Sequence, residues 1–153
     1  MKSRFKPKVV IDTNIFINSW FDNEPYCDQI TALVDDNKLR LMFSQDMIGE
    51  LFYIAKKYAI KHMSSEKPRL ALLYNISDII YKSESVNTIN TICATLEDVY
   101  DEMFLKCAIE GKADFLISND FKSGLHNTKN LKTTIINSSD FINLYNTITS
   151  KTS

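Results

Sequence analysis

Residues 8–14 have the sequence KVVIDTN, an apolar run that ends at a single carboxylate. The run from Lys8 to Ile11 predicts a short buried strand. From Asn14 to Phe21 the apolar side chains recur at helical spacing, so a helix begins close behind Asp12. A strand that passes directly into a helix is typical of a parallel α/β sheet, and it places Asp12 at the carboxyl end of its strand.

The alternation of strands and helices continues through the rest of the chain. Further strands are predicted at residues 39–43, 85–94, 114–118 and 133–136. Helices are predicted from Pro25, behind Ser44 as N-cap, over 67–81, over 98–109 and behind the cap Ser138-Ser139-Asp140. This order predicts a parallel sheet with right-handed crossovers. We expect one domain over residues 1–148 and a frayed tail at 149–153.

Two finer expectations concern the helices. Over residues 67–81, the apolar face is expected to consist of Leu70, Leu73, Ile76 and Ile80. The helix over 98–109 is expected to be closed by Gly111, because glycine accepts the left-handed conformation that often follows a last turn.

The composition is that of an ordinary globular domain. The 153 residues include 44% apolar and 24% charged residues. No apolar run approaches the roughly 18 residues that would span a bilayer. No signal-peptide core follows the basic N-terminus. We therefore expect a protein of the cytoplasm that does not associate with a membrane.

The numbers of cysteines and histidines and the net charge limit which classes of function are possible. Three scattered cysteines and two histidines argue against a structural zinc site or a disulfide framework. A net charge of −1 lacks the basic footprint that favours nucleic-acid binding. The first eight residues do contain four cations, which form either a solvated end or an arm that contacts RNA: Lys2, Arg4, Lys6 and Lys8.

Acidic residues occur where a parallel sheet gathers its ligands. Asp12 and Asp120 each follow a predicted strand, Asp98 and Asp101 begin a helix, and Glu50 lies beside an apolar helical stripe. Each has a purely structural alternative, a helix cap or first-turn charge for the aspartates and a salt bridge for Glu50. Together they predict a site for a hard cation, which can activate water and relieve charge on a phosphodiester. Without a cation such carboxylates repel, so at least one pKa is expected to be raised.

Four motifs in order resemble the PIN-domain nucleases, and more closely the VapC-like bacterial toxins of that family. They lie at residues 9–14, 44–51, 98–105 and 111–120, and cover nearly the whole chain. The first is Val-Val-Ile-Asp-Thr-Asn, and the last is Gly-Lys-Ala-Asp followed by an apolar strand and Ser-Asn-Asp. Val99 and Glu102 stand where the family pattern has Pro and Asp. Lys122 and Ser123 replace a common Asp-Leu, and Lys122 is expected to change the local charge or contact phosphate.

The resemblance implies a three-layer α/β/α sandwich around a five-stranded parallel sheet. It also implies a Mg²⁺- or Mn²⁺-dependent endoribonuclease. The implied catalytic and metal-binding quartet consists of Asp12, Glu50, Asp101 and Asp120. The implied supporting residues are Thr13, Asn14 and Ser118. Asp98 is expected beside Asp101 as a helix cap or a further supporting acid.

The toxin-type resemblance further implies partners. The substrate would be RNA, an antitoxin protein would block the enzyme, and a homodimer is consistent with the family. The segments Trp20-Phe21 and Leu70-Leu73-Tyr74 carry large apolar side chains that suit such contacts, although ordinary core packing explains each residue equally well.

Three other readings share parts of this pattern. A receiver-like phosphoswitch also has a parallel sheet and an acidic metal site, but it requires paired acids after the first strand and a lysine after the last. A phosphatase with an acid nucleophile requires Asp-x-Asp, where this chain has Asp12-Thr13-Asn14. A catalytically inactive PIN-like interaction module is the third alternative.

Overall fold

The computed structural model describes residues 4–151, which form one parallel sheet flanked by helices. The strands are β1 Lys8–Ile11, β2 Arg40–Ser44, β3 Glu84–Val86, β4 Phe115–Ile117 and β5 Thr134–Ile136. The α-helices are α1 Thr13–Asp22, α2 Pro25–Asp35, α3 Gln45–His62, α4 Glu66–Lys82, α5 Glu102–Gly111 and α6 Ser138–Ser150. Short 3-10 turns lie at Val99–Asp101 and Leu125–Asn127.

The five strands are all parallel and lie in the order β3-β2-β1-β4-β5. Val9, Val10 and Ile11 of β1 are all at most 1% exposed, although successive side chains of a strand point to opposite faces. Helices therefore cover both faces, as buried parallel sheets require. The predicted three-layer α/β/α fold is confirmed.

The order of the strands reverses between β1 and β4. These two strands are neighbours in the sheet although they are far apart in sequence. Val9 lies opposite Phe115, and Ile11 lies opposite Ile117. Open α/β sheets bind ligands beyond the carboxyl ends of the strands at such a switch point. The strand order also differs from the 2-1-3-4-5 order of receiver-like folds, which excludes the phosphoswitch reading.

Local signals explain where the helices begin. The Asp12 side chain caps α1 by accepting from the Asn14 backbone N at 3.2 Å. Ser44 caps α3 as predicted, accepting from the Met47 backbone N at 3.4 Å. Pro25 occupies the first turn of α2, where its missing N–H costs nothing. The caps at Asp12 and Ser44 start α1 and α3 directly after β1 and β2, so both helices begin at the carboxyl edge of the sheet.

Some sequence expectations were wrong. The predicted strand over 85–94 ends at Val86, and the following Asn- and Thr-rich residues form a loop with a turn in which Thr91 N donates to Thr88 O at 3.1 Å. In α4 the buried residues are Ile76 and Ile79, because the helix packs by its C-terminal half. Leu70 and Leu73 are 42% and 46% exposed instead of buried.

The ends of α5 and α6 also differ from expectation. The left-handed residue behind α5 is Lys112, with φ 53°, and Gly111 is the last helical residue. A Cβ at Gly111 would contact Met42 and Val86, so close packing explains that glycine. Asn137 rather than Ser138 caps α6, since its side chain accepts from the Asp140 backbone N at 2.8 Å.

Helix α6 continues through residues 149 and 150, which were expected in the frayed tail. Residues 152 and 153 of that tail, and Lys2 of the basic N-terminus, lie outside the described residues. From residue 4 to residue 151, every helix falls short of the combined length and apolarity that crossing a bilayer requires.

Candidate acidic metal site

The side chain of Ser118, which follows β4, makes a hydrogen bond to Asp12, which follows β1. Its Oγ donates to Asp12 Oδ2 at 2.8 Å and accepts from the Asp120 backbone N at 3.1 Å. The Asp12 backbone N donates to Ile117 O at 3.0 Å, so this residue is still held by the sheet. Asp12 and Ser118 are both buried, at 3% and 0% exposure. The predicted supporting position of Ser118 is therefore a contact that orients one acid and anchors the loop that carries another.

Glu50 reaches the same edge from α3. Thr13, in the first turn of α1, donates its Oγ1 to Glu50 Oε2 at 2.6 Å. A salt bridge was the structural alternative for Glu50, but the ion pairs among residues 4–151 are Arg40–Glu84 and Asp78–Lys82. A hydroxyl therefore orients Glu50 and leaves its charge unneutralised.

Asp98, Asp101 and Asp120 form the tightest group of acids. One carboxylate oxygen from each lies within 4.8 Å of the others. Asp98 caps the 3-10 turn by accepting from the Tyr100 backbone N at 3.0 Å. Asp101 is 8% exposed, and its Oδ2 is buried without a hydrogen-bond partner. A buried, unpartnered carboxylate oxygen beside two other carboxylates is a position that a hard cation fits.

The protonation of this cluster reflects burial and mutual repulsion. Burial raises the pKa of Asp12 to about 6, against the lowering effect of its bonds from Ser118 and Asn14. The charges of Glu50 and Asp120 raise it further. Burial, followed by the charge of Asp12, raises the pKa of Asp101 to about 7. The expected repulsion is therefore present, and a cation would relieve it.

The structure thus brings all five predicted acids to one edge of the sheet. Asp12 interacts electrostatically with Glu50, Asp101 and Asp120, and Asp98 adjoins the last two. The catalytic and metal-binding roles of the quartet remain a prediction that the geometry supports.

The remaining predicted supporting residue, Asn14, contributes its backbone N to the cap of α1, and its side chain is exposed beside the cluster. Its side-chain role remains a prediction.

Ser123 is a site residue that the sequence analysis treated only as a departure from the family pattern. It is 2% exposed, and its hydrogen bond to Asp101 lowers the pKa of that acid, against the dominant effect of burial. Its backbone N and that of Lys122 both donate to Asp120 Oδ1, at 3.2 and 2.9 Å. The spacing from Asp120 to Ser123 is that of an aspartate-capped turn, which was the available signal.

Comparison with known proteins defines the class. A family model for the PIN domain matches residues 8–122, and the chain therefore belongs to the PIN domain family. The resemblance inferred from the four motifs is confirmed. Membership assigns the chain to a family of nucleases, hydrolases that act on nucleic acid.

Two solved structures share the fold. One is a chain in the crystal structure of VapBC2 from Rickettsia felis bound to a DNA fragment from their promoter. It has 14% identity and a TM-score of 0.53, over 85% of this chain and 98% of that one. The other is PAE2754 from Pyrobaculum aerophilum, with 11% identity and a TM-score of 0.56, over 93% of this chain and 90% of that one. No curated protein sequence matched the chain.

Proposed function

We propose that the protein is a divalent-metal-dependent endoribonuclease of the cytoplasm and the toxin of a toxin–antitoxin pair. The observation that carries the proposal is the buried, unpartnered Asp101 Oδ2 within a cluster of carboxylates at the topological switch point. Asp12 and Asp101 are both buried beside other carboxylates, and a bound cation would offset the desolvation and the repulsion of their charged forms.

The donor set fits Mg²⁺ or Mn²⁺, which bind oxygen ligands and retain several waters. Asp12, Glu50, Asp101 and Asp120 would hold the ion, with Asp98 beside Asp101 and Asp120. A bound ion of this kind supplies an activated water and charge relief on the phosphate.

The chain's own residues hold this arrangement in place. Asp12 receives one hydrogen bond on each carboxylate oxygen, from Ser118 and from the Asn14 backbone. Each oxygen can accept a second interaction, so both remain available while the rotamer is fixed. Thr13 fixes Glu50 in the same way. Pre-orientation of this kind reduces the reorganisation that binding a phosphodiester would require.

Water is the proposed nucleophile, and no covalent intermediate is expected. The buried thiols are unsuitable, since burial raises the pKa of both Cys27 and Cys107 to about 12. A thiol with such a pKa is not a thiolate at neutral pH.

A cleavage assay tests the enzyme. Purified wild type is incubated with a labelled single-stranded RNA and Mn²⁺, in parallel with excess EDTA and with D12N purified in the same way. We expect internal cleavage by wild type with Mn²⁺ alone. Cleavage that persists in EDTA would refute metal dependence. Equal cleavage by D12N would indicate a contaminant, whereas RNA binding without turnover would support the inactive interaction module.

A partner is the second part of the proposal. Between α3 and α4 lies an apolar groove of about 470 Å³, lined by side chains such as Phe52, Leu72 and Ile76, with Lys56 and Arg69 also in its wall. An amphipathic antitoxin helix would suit this groove, and could place a cation against the acids. The fold shared with a chain of VapBC2 is consistent with a toxin–antitoxin assignment.

The exposed apolar side chains of α4 also suit a homodimer, since Leu70, Leu73 and Tyr74 are 42%, 46% and 72% exposed. Trp20 and Phe21 of α1 are half-buried against the core. They contribute less free surface than the sequence analysis expected.

A growth assay tests the toxin assignment. Expression of wild type without a partner should slow bacterial growth, and D12N should relieve this effect at the same soluble level. If both proteins are equally harmless, the toxin assignment falls while the nuclease assignment stands on the cleavage assay.

A further inference from the structure

Two clefts adjoin the acidic cluster on different sides. One, of about 770 Å³, is lined by Glu50, Tyr53 and Tyr100, among others, and is named here the Tyr100 cleft. The other, of about 520 Å³, is lined by Tyr58, Asp120, Phe121 and Lys122, among others, and is named the Phe121 cleft. We propose that these clefts stack unpaired bases of the substrate on either side of the phosphate that is cleaved. The inference rests on the proposed function for the identity of the substrate as RNA.

The aromatic side chains of both clefts are unusually exposed. Tyr53, Tyr100 and Phe121 are 63%, 76% and 59% exposed, respectively. Large aromatic rings normally contribute to stability by burial, so these three contribute little to the core. Because more than half of each side chain is exposed, a flat partner can stack on each ring, and every nucleobase has such a face.

Tyr100 is held next to the acids by the backbone. It lies between Asp98 and Asp101, and its backbone N donates to Asp98 Oδ1 at 3.0 Å. The hydrogen bond that caps the turn with Asp98 therefore also fixes the backbone position from which the Tyr100 side chain extends. A base stacked on this ring would leave its phosphate close to the carboxylates.

Phe121 is held on the other side by its sequence position and by a ring contact. It directly follows Asp120, and its ring stacks on His126 with centroids 4.4 Å apart and an interplanar angle of 26°. His126 in turn hydrogen-bonds through Nε2 to Ser118 O at 2.8 Å. One face of Phe121 is thus supported by the site's own framework, and more than half of its surface remains exposed.

Helix α3 contributes a tyrosine to each cleft, on opposite sides of Glu50. At about 100° per residue, Tyr53 lies roughly 60° to one side of the Glu50 direction, and Tyr58 lies roughly 80° to the other. Glu50 itself points at the Thr13 hydroxyl in the cluster. Tyr53 therefore lines the Tyr100 cleft and Tyr58 lines the Phe121 cleft, where the Tyr58 ring also contacts Phe21 and His62.

Charge and composition favour a single-stranded nucleic acid over a duplex. The net charge of −1 provides no broad basic surface for the paired backbone. Each cleft has one lysine in its lining, Lys106 beside the acids Asp46, Glu50 and Glu102 in the Tyr100 cleft, and Lys122 beside Asp120 in the Phe121 cleft. Lys57 Nζ lies 5.5 Å from the Tyr53 ring centroid. Affinity for bases must therefore come mainly from stacking. Stacking supplies affinity without readout of base edges, and it requires bases that are free of a complementary strand.

The test measures binding separately from cleavage. The affinity for a fluorescein-labelled ten-nucleotide single-stranded RNA is measured by anisotropy, with Mn²⁺ present and every variant built on D12N to keep the RNA intact. Tyr100→Ala and Phe121→Ala should each weaken binding by about fivefold or more. Tyr100→Phe and Phe121→Tyr, which keep the rings, should bind like the parent. Tyr81→Ala is the matched control, because Tyr81 is 88% exposed but lies just before β3, at the opposite edge of the sheet.

Urea unfolding of each variant establishes that the fold is unchanged. If both alanine variants bind RNA as tightly as the parent, the aromatic residues serve another surface and the inference is overturned. If only one variant binds more weakly, the inference is overturned for the other cleft. The proposed function fails separately, through the cleavage assay on wild type, and that failure would leave a measured stacking effect standing.

Discussion

In the absence of metal, replacing Asp12 with asparagine should make the protein increasingly stable relative to wild type as the pH rises. Asp12 is 3% exposed, and burial raises its pKa from 3.8 to about 6, with further contributions from Glu50 and Asp120. The D12N variant removes the charge and keeps the shape. Asparagine is as good an N-cap as aspartate, so the bond from the Asn14 backbone N should persist. Its NH2 group replaces the oxygen that accepts from Ser118, and the loss of that bond costs stability equally at every pH.

The sign and size of the effect follow from linkage. A carboxyl group whose folded-state pKa exceeds its unfolded value contributes stability below about pH 3.8 that is lost as the pH rises through about 6. At about 1.4 kcal/mol for each tenfold change in proton affinity, the whole loss is roughly 3 kcal/mol. Between pH 4.5 and pH 8 it is about 2 kcal/mol. D12N lacks this loss, so its advantage over wild type should grow by that amount.

Urea unfolding in EDTA at pH 4.5 and pH 8, followed by the fluorescence of the single tryptophan, measures the two free energies. Asp22→Asn is the matched control, because Asp22 is an exposed aspartate at the other end of α1. Its difference from wild type measures the effect of removing an exposed carboxylate from the same helix. A D12N difference from wild type that does not grow between pH 4.5 and pH 8 would refute the claim that the buried charge of Asp12 destabilises the metal-free fold.

Four further outcomes are expected. Asp101→Asn should abolish RNA cleavage, whereas Asp98→Asn should retain much of the rate. The reason is that Asp101 has the buried, unpartnered oxygen and Asp98 already caps a turn. The reverse ranking in the Mn²⁺ cleavage assay would assign the central role to Asp98. Mn²⁺ should raise the melting temperature of wild type much more than that of D12N, because an ion stabilises a protein only by binding to its folded state. Equal shifts in the two proteins would count against Asp12 as a ligand. Gly49→Ala should raise the free energy of unfolding by about 1 kcal/mol, because Gly49 lies inside α3 and an added Cβ would meet nothing within 4 Å. Gly111→Ala should lower it by about 1 kcal/mol, since its Cβ would overlap a buried methionine, and equal effects in urea unfolding would contradict this packing argument.

The sequence predicted best where a local signal and the fold agree. The strand Lys8–Ile11, the cap at Ser44 and the proline at the start of α2 were all located correctly from short-range chemistry. The failures occurred where packing decides. The strand predicted over 85–94 ends at Val86, and α4 buries Ile79 but not Leu73, because the buried face depends on which part of a helix meets the core.

By itself, the sequence determined that acids follow strands and open helices, since capping and hydrophobic periodicity act over a few residues. It thereby limited the site to five carboxylates, those of Asp12, Glu50, Asp98, Asp101 and Asp120. Only the tertiary structure decided that β1 lies beside β4, so that Ser118 donates to Asp12 across 106 positions of sequence. Only the tertiary structure left Asp101 Oδ2 buried without a partner. The physical reason is that strand order and burial arise from contacts between distant segments, and no local pattern along the chain encodes which distant segments will meet.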